Sequence, residues 1–134
     1  METFRITAAT TAGTDITDIT PEVEKIAARG TDGTLVLFVP GSTAALTTIE
    51  YENGAVHDLR AAIERIAPQN IPYEHDSRWG DGNGFSHVRS ALLKTGITVP
   101  IVDGTVQLGT WQQIVLLDFD NRPRKRRIEV QILG

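Results

Sequence analysis

Cysteine is absent from all 134 residues. Disulfides, thiolate metal centres, iron–sulfur clusters and cysteine nucleophiles are excluded with it. Long apolar runs are absent too: the longest, such as Leu35 to Val39, fall far short of the ~20 residues a membrane helix needs. The first ten residues, METFRITAAT, lack a basic-then-apolar organisation, so no signal peptide is expected and a cytoplasmic location fits. An excess of basic charge is also missing. The net charge of −4 and pI near 5.3 argue against a general nucleic-acid binder. No internal repeat and no low-complexity stretch occurs.

What is present suits one globular domain over residues 1–134. Hydrophobic residues make up 40% and charged residues 22%, ordinary values for a folded chain. Val, Ile and Leu recur along the length, which excludes general disorder.

Strands dominate. Glu2 to Ala8 alternates, with Phe4 and Ile6 on one face and Thr3, Arg5 and Thr7 on the other. Thr10 to Thr14 reads as a turn and Asp15 to Ile19 as a short strand. Thr20-Pro21 reads as a helix start, a Thr cap with Pro at the first helical position, and Val23, Ile26 and Ala27 share a face. Gly30 ends that helix. Thr34 to Val39 is apolar on both faces, which predicts a central strand covered on both sides. Ala44 to Glu50 is the next strand, with Ala44, Leu46, Thr48 and Glu50 on one face. A helix follows from Ala55 to Ala67, with Val56, Leu59, Ile63 and Ile66 as its stripe and Pro68 as its stop.

Gln69 to Phe85 reads as a long irregular segment rich in Gly, Asp and Asn, and a loop of that length is usually functional. Ser86 to Lys94 reads as a short helix with Val88, Ala91 and Leu92 facing inward. Ile97 to Val102 and Thr105 to Leu108 flank Asp103-Gly104, a two-residue hairpin signal. Trp111 to Phe119 and Arg124 to Leu133 are the last strands, separated by an Asn-Arg-Pro turn. Trp111 should be structural, sharing a buried face with Gln113, Val115 and Leu117. The expectation is therefore an α+β domain of about seven mainly antiparallel strands and two or three short helices. So few helices cannot cover that many apolar strands, so a second sheet layer or another subunit must cover the rest.

Three histidines are available for chemistry. His57, near a helix start, reads as a surface or capping residue. His75 and His87 bracket the glycine-rich segment EHDSRWGDGNGFSH, with Asp76 and Asp81 between them. Imidazole with carboxylate suits Zn²⁺ or a similar divalent ion. The competing reading is a polar loop whose Asp and Asn side chains satisfy its own backbone. Under the metal reading the ligands are His75, His87 and Asp81. Glu50, at its strand end, is the next candidate carboxylate and a candidate catalytic group with the two histidines.

Several familiar motifs fail. Gly80 to Gly84 follows no strand and lacks the lysine and spacing of a nucleotide loop. A Gly-x-Ser-x-Gly elbow is missing, and Ser86 and His87 are neighbours on a helix and cannot face each other. Ser42 and Thr43, after a buried strand, either offer donors to an anion or make a tight turn. Residues 122–127, RPRKRR, form the one basic cluster. There Arg124 and Arg126 continue the apolar row of Ile128, Val130 and Ile132. Arginines so placed usually meet a carboxylate, a phosphate or a neighbouring chain.

GSTAALTTIE, YEHD, SHVRSALL and above all GTWQQIVLLDFDNRPRKRRIEVQ resemble the YjbQ-like family of small proteins, described as uncharacterised or as secondary thiamine-phosphate synthases. The likeness spans nearly the whole chain and is most specific over Gly109 to Arg124. It implies a compact β-sandwich or barrel-like α+β domain that assembles as a homotrimer. It also implies a weak condensation of a hydroxymethylpyrimidine diphosphate with a thiazole phosphate. Members often carry histidine at the position of Gly41, and some at Phe85, so a three-histidine metal site is only partly carried over. On this reading Ser42, Thr43, Arg89, Gln112 and Arg124 bind phosphate, and His75, His87 and an acidic partner hold a divalent metal such as Zn²⁺, or move protons. The alternative is a non-catalytic trimeric binding protein for a small anionic ligand or a metal.

Overall fold

The computed structural model describes residues 2–134 and contains eight strands and four helices. One sheet has five strands in the order β1 (Glu2–Ala9), β8 (Lys125–Leu133), β3 (Gly33–Phe38), β5 (Gly96–Val102), β6 (Thr105–Val106). The other has three: β2 (Asp15–Asp18), β7 (Gln112–Asp118), β4 (Ala44–Glu50). Every strand pairing is antiparallel.

The main core lies between the two sheets. Ile6, Leu35, Leu37, Ile128 and Val130 from the larger sheet meet Ala44, Leu46, Ile114 and Leu116 from the smaller one. Helix α1 (Thr20–Ala27) closes one end with Val23 and Ala27. A second core lies on the other face of the small sheet. Ala45, Val115, Leu117 and Phe119 pack there against Val56 and Ile63 of α2 (Asn53–Ile66). β7 is thus apolar on both faces because it is the middle strand between two cores. The covering that the strand count demanded comes from the second sheet.

The Asp103-Gly104 hairpin forms as read, with φ of 50° and 71° at its two residues, the left-handed pair that a tight two-residue turn requires. Other expectations are corrected. β3 is central in its sheet, but only Leu35 and Leu37 are buried; Phe38 is 48% exposed and its face is open. Thr20 does not cap α1. Its backbone N–H is taken by Asp18 Oδ1 at 2.9 Å, and its hydroxyl accepts the Ile114 N–H at 2.8 Å, joining the helix to β7. α2 starts earlier than its apolar stripe, because Glu52 caps it by accepting from Gly54 N at 2.7 Å and Ala55 N at 2.8 Å. Ile66, counted in the α2 stripe, is exposed. Trp111 is not structural: it precedes β7 and is 74% exposed.

The segment Gln69 to Phe85 is not irregular throughout. It contains α3 (Glu74–Trp79), and α4 (Gly84–Leu93) begins two residues before its predicted start. The inward face of α4 is not the one that Val88, Ala91 and Leu92 predict. Val88 and Leu92 are exposed, and the buried residues are Gly84, Phe85, Ser86, Arg89 and Ser90. The buried polar groups are satisfied within the protein: Ser86 Oγ donates to Asn83 O at 2.6 Å and Ser90 Oγ to Ala44 O at 2.6 Å. A hydrophobic stripe cannot reveal a face built from hydroxyls and a guanidinium.

Candidate functional site

The site is assembled by the start of α4. A Cβ on Gly84 would stand 2.6 Å from Tyr73 Cβ, so only glycine lets α4 sit on the residue before α3. The Gly84 N–H donates to Asp76 Oδ1 at 2.8 Å, tying the two helices further. Gly80, at φ 74°, ends α3 by donating its N–H to Asp76 O at 2.8 Å. As a result, His75 on α3 and His87 on α4 bring their rings to 4.4 Å between centroids, tilted by 44°. His75 Nδ1 lies 3.4 Å from Asp76 Oδ1 and 3.4 Å from Asp81 Oδ1.

These groups open onto a cleft of about 870 Å³. Its opposite wall is made by Gly41, Ser42 and Thr43 after β3 and by Asn121, Arg122, Arg124 and Arg126 around the turn into β8. The Asn121 side chain donates to Asp81 O at 2.9 Å, which joins the two walls.

Behind the arginines stand two buried carboxylates. Asp118 accepts from Arg126 Nε at 2.8 Å, from Arg126 Nη2 at 3.0 Å and from the Thr10 hydroxyl at 2.7 Å. Asp120 accepts from Arg124 Nε at 2.9 Å and from Thr43 Oγ1 at 3.2 Å. Burial pushes the Asp120 carboxyl up, but Arg124, the Asn121 N–H and the Asn83 amide outweigh it and hold it below the ordinary carboxylate value. The guanidiniums are therefore fixed in place by charge-assisted hydrogen bonds.

The structure sorts the candidates. His75, His87, Asp81, Ser42, Thr43 and Arg124 converge on the cleft. Arg89 does not. It is buried beneath α4, where Nε donates to Ala67 O at 3.0 Å, Nη2 pairs with Glu64, and the group stacks on Phe85 at 4.9 Å. It joins α4 to α2. Glu50 is exposed at the end of β4 and lines a different depression with Tyr51 and Trp111. Gln112 is also elsewhere, donating to Thr48 Oγ1 at 3.0 Å and accepting from Gly109 N at 3.0 Å. His57 is exposed on α2.

The sequence reading missed Asn83, Asn121, Arg122 and Arg126 as cleft residues, and Asp76 as the third member of a carboxylate–imidazole group. Asp76 lies next to His75 in sequence, a spacing that no helical pattern flags, and it meets Asp81 only because the chain turns at Gly80. Possible ligand atoms of His75, Asp76 and Asp81 all lie within 4.8 Å of one another. One imidazole and two carboxylates, with His75 and Asp76 half-buried and Asp81 exposed, offer the nitrogen and oxygen donors that a divalent ion such as Zn²⁺ takes. His87 is beside this group rather than within it.

Residues 4–134 match the model of the family described as UPF0047 protein YjbQ-like. The chain belongs to this family. A UPF0047 protein of Archaeoglobus fulgidus is 36% identical over 130 residues, covering 97% of this chain and all of that protein. The UPF0047 protein YugU of Bacillus subtilis is 31% identical, covering 93% of this chain and 94% of its own. Among solved structures, the hypothetical protein APE1520 from Aeropyrum pernix superposes with a TM-score of 0.91 at 30% identity, covering 100% of this chain and 99% of that one. A YbjQ-like protein of unknown function from Sulfolobus solfataricus gives 0.88 at 28% identity over 99% of this chain and 98% of its own. The UPF0047 fold is thus shared across the whole chain. No helix among the described residues is long and apolar enough to cross a membrane.

Proposed function

We propose that the protein is an enzyme acting on a small phosphorylated heterocycle, in the manner of a secondary thiamine-phosphate synthase. The observation that carries this reading is the meeting of His75 and His87, 4.4 Å apart, in the same cleft as Arg122, Arg124 and Arg126. Arg124 and Arg122, with Ser42, take phosphoryl oxygens through directed N–H and O–H donors. The imidazole pair holds or delivers a proton at the leaving oxygen. In the condensation, the thiazole nitrogen attacks the methylene carbon of the pyrimidine diphosphate. The C–N bond forms, the C–O bond breaks, and its electron pair leaves on the diphosphate. Little covalent work falls to the protein, which positions both partners and stabilises the departing charge.

His75, Asp76 and Asp81 would hold a divalent metal such as Zn²⁺. When bound, such an ion would supply positive charge to a site where two of the three guanidiniums are already offset by Asp118 and Asp120. Self-assembly as a homotrimer belongs to the same reading. Phe38 at 48% and Val102 at 47% exposure, on the outer face of the large sheet, are suited to contact another copy. Light scattering that gave about the mass of one chain would exclude it.

The test is to supply hydroxymethylpyrimidine diphosphate and thiazole phosphate with and without zinc and to follow thiamine phosphate by mass spectrometry. Product should form, and His75→Ala and His87→Ala should each lower its rate at least ten-fold. Unchanged turnover in both variants overturns the assignment. A binding protein without catalysis is the second reading. It is favoured by the pairing of Arg124 and Arg126 with Asp120 and Asp118, which holds the anion-facing wall rigid with no reacting group required. Ligand-raised melting with no product would select it.

A further inference from the structure

Arg126 has more hydrogen-bonding capacity than its partners use. A guanidinium carries five N–H groups. Nε and one N–H of Nη2 go to Asp118 at 2.8 and 3.0 Å, and Nη2 also donates to Thr43 Oγ1 at 2.6 Å. Nη1 has no partner among the described residues. Nor is it sealed in: the one buried side-chain polar atom without a partner there is Asn83 Oδ1. The side chain as a whole is only 9% exposed, and its Asp118 partner is fully buried. Arg126 is thus a rigid, nearly enclosed cation with a single open edge.

That edge faces Gly41. A Cβ built there would stand 3.1 Å from Arg126 Nη1, closer than ordinary packing, and the glycine φ is +140°, a conformation that side-chain-bearing residues rarely adopt. Both residues line the main cleft. The missing side chain leaves a gap through which Nη1 is reached.

We propose that Arg126 Nη1, approached through the gap at Gly41, is a docking point for a tetrahedral oxyanion, the phosphoryl group of the ligand. The inference rests on the phosphate-binding reading of the cleft and adds a residue to it. Asp118 offsets the charge of Arg126, so recognition there depends on the direction of two N–H groups rather than on excess positive charge. Such an arrangement suits an oxygen with well-placed lone pairs. Arg124, two residues earlier and held in the same way by Asp120 at 2.7 Å, is positioned to take a second oxygen.

The experiment measures binding of inorganic phosphate by isothermal titration calorimetry to the wild type, Arg126→Lys and Gly41→Ala. Lysine keeps a cation beside Asp118 but lacks the Nη1 edge. Alanine keeps every donor and fills the gap. Each should weaken phosphate binding at least ten-fold, with circular dichroism confirming a folded chain. As a readout that needs no variant, the arginine side-chain ¹⁵N resonances of the wild type are followed during phosphate titration, and those of Arg126 should shift. If the wild type binds phosphate while both folded variants bind within two-fold of it, or if the Arg126 resonances do not move, the docking point is refuted and the cleft reading stands. If the wild type binds no phosphate, the cleft reading falls and this inference with it.

Discussion

Asp118→Ala is the substitution whose effect the structure specifies best. Asp118 is fully buried and accepts two hydrogen bonds from Arg126, one from Thr10 and one from the Asp120 N–H at 3.0 Å. Removing the carboxylate leaves the Arg126 guanidinium enclosed with no counter-charge. Breaking a buried ion pair from one side costs about 3–5 kcal/mol. Two charge-assisted hydrogen bonds at about 1.5–3 kcal/mol each give the same range. For a chain of this length that is a fall of roughly 10–20 °C in melting temperature. Urea unfolding followed by circular dichroism measures it. A double-mutant cycle with Arg126→Met separates the pair from its surroundings, since the double variant leaves no unpaired charge. It should be more stable than the sum of the two single losses predicts, by about 1–3 kcal/mol. An Asp118→Ala loss under about 1 kcal/mol, or strictly additive variants, would refute the view that this pair is enclosed and holds the arginine wall in place.

Two further outcomes follow from the same geometry. The Asp120 carboxyl is held below its ordinary value in the folded chain, so its contribution to stability is present above the unfolded value of about 3.9 and is lost as pH falls through the lower folded one. Asp120→Asn should therefore flatten the loss of stability below about pH 4 in acid titrations of the melting temperature; an acid limb as steep as that of the wild type would contradict this. Trp111, at 74% exposure, should tolerate alanine with a loss under about 0.5 kcal/mol, and its fluorescence should be quenched readily by iodide, which a comparison with Trp111→Ala isolates from Trp79.

Period-two and period-3.6 patterns marked most strands and the first two helices, because burial on one face leaves a repeating trace in the chain. The Asp103-Gly104 turn was legible for a local reason: its backbone needs two left-handed residues. His75 and His87 stood out because few side chains in the sequence can do their chemistry. Three features were decided only by tertiary structure. The buried face of α4 is made of Ser86, Arg89 and Ser90, whose partners lie up to 75 residues away, so no local hydrophobic pattern marks it. Trp111 looked like core by type and parity, yet β7 begins one residue later and leaves it in solvent. Arg124 and Arg126 were seen to share a face, and sequence could not say whether carboxylate, phosphate or another chain would meet them. The fold answers with Asp118 and Asp120, near-neighbours along the chain but carried on a different sheet from β8. The short turn that carries the chain from β7 to β8 brings them beside the arginines, and the one donor edge they leave open points to the gap at Gly41.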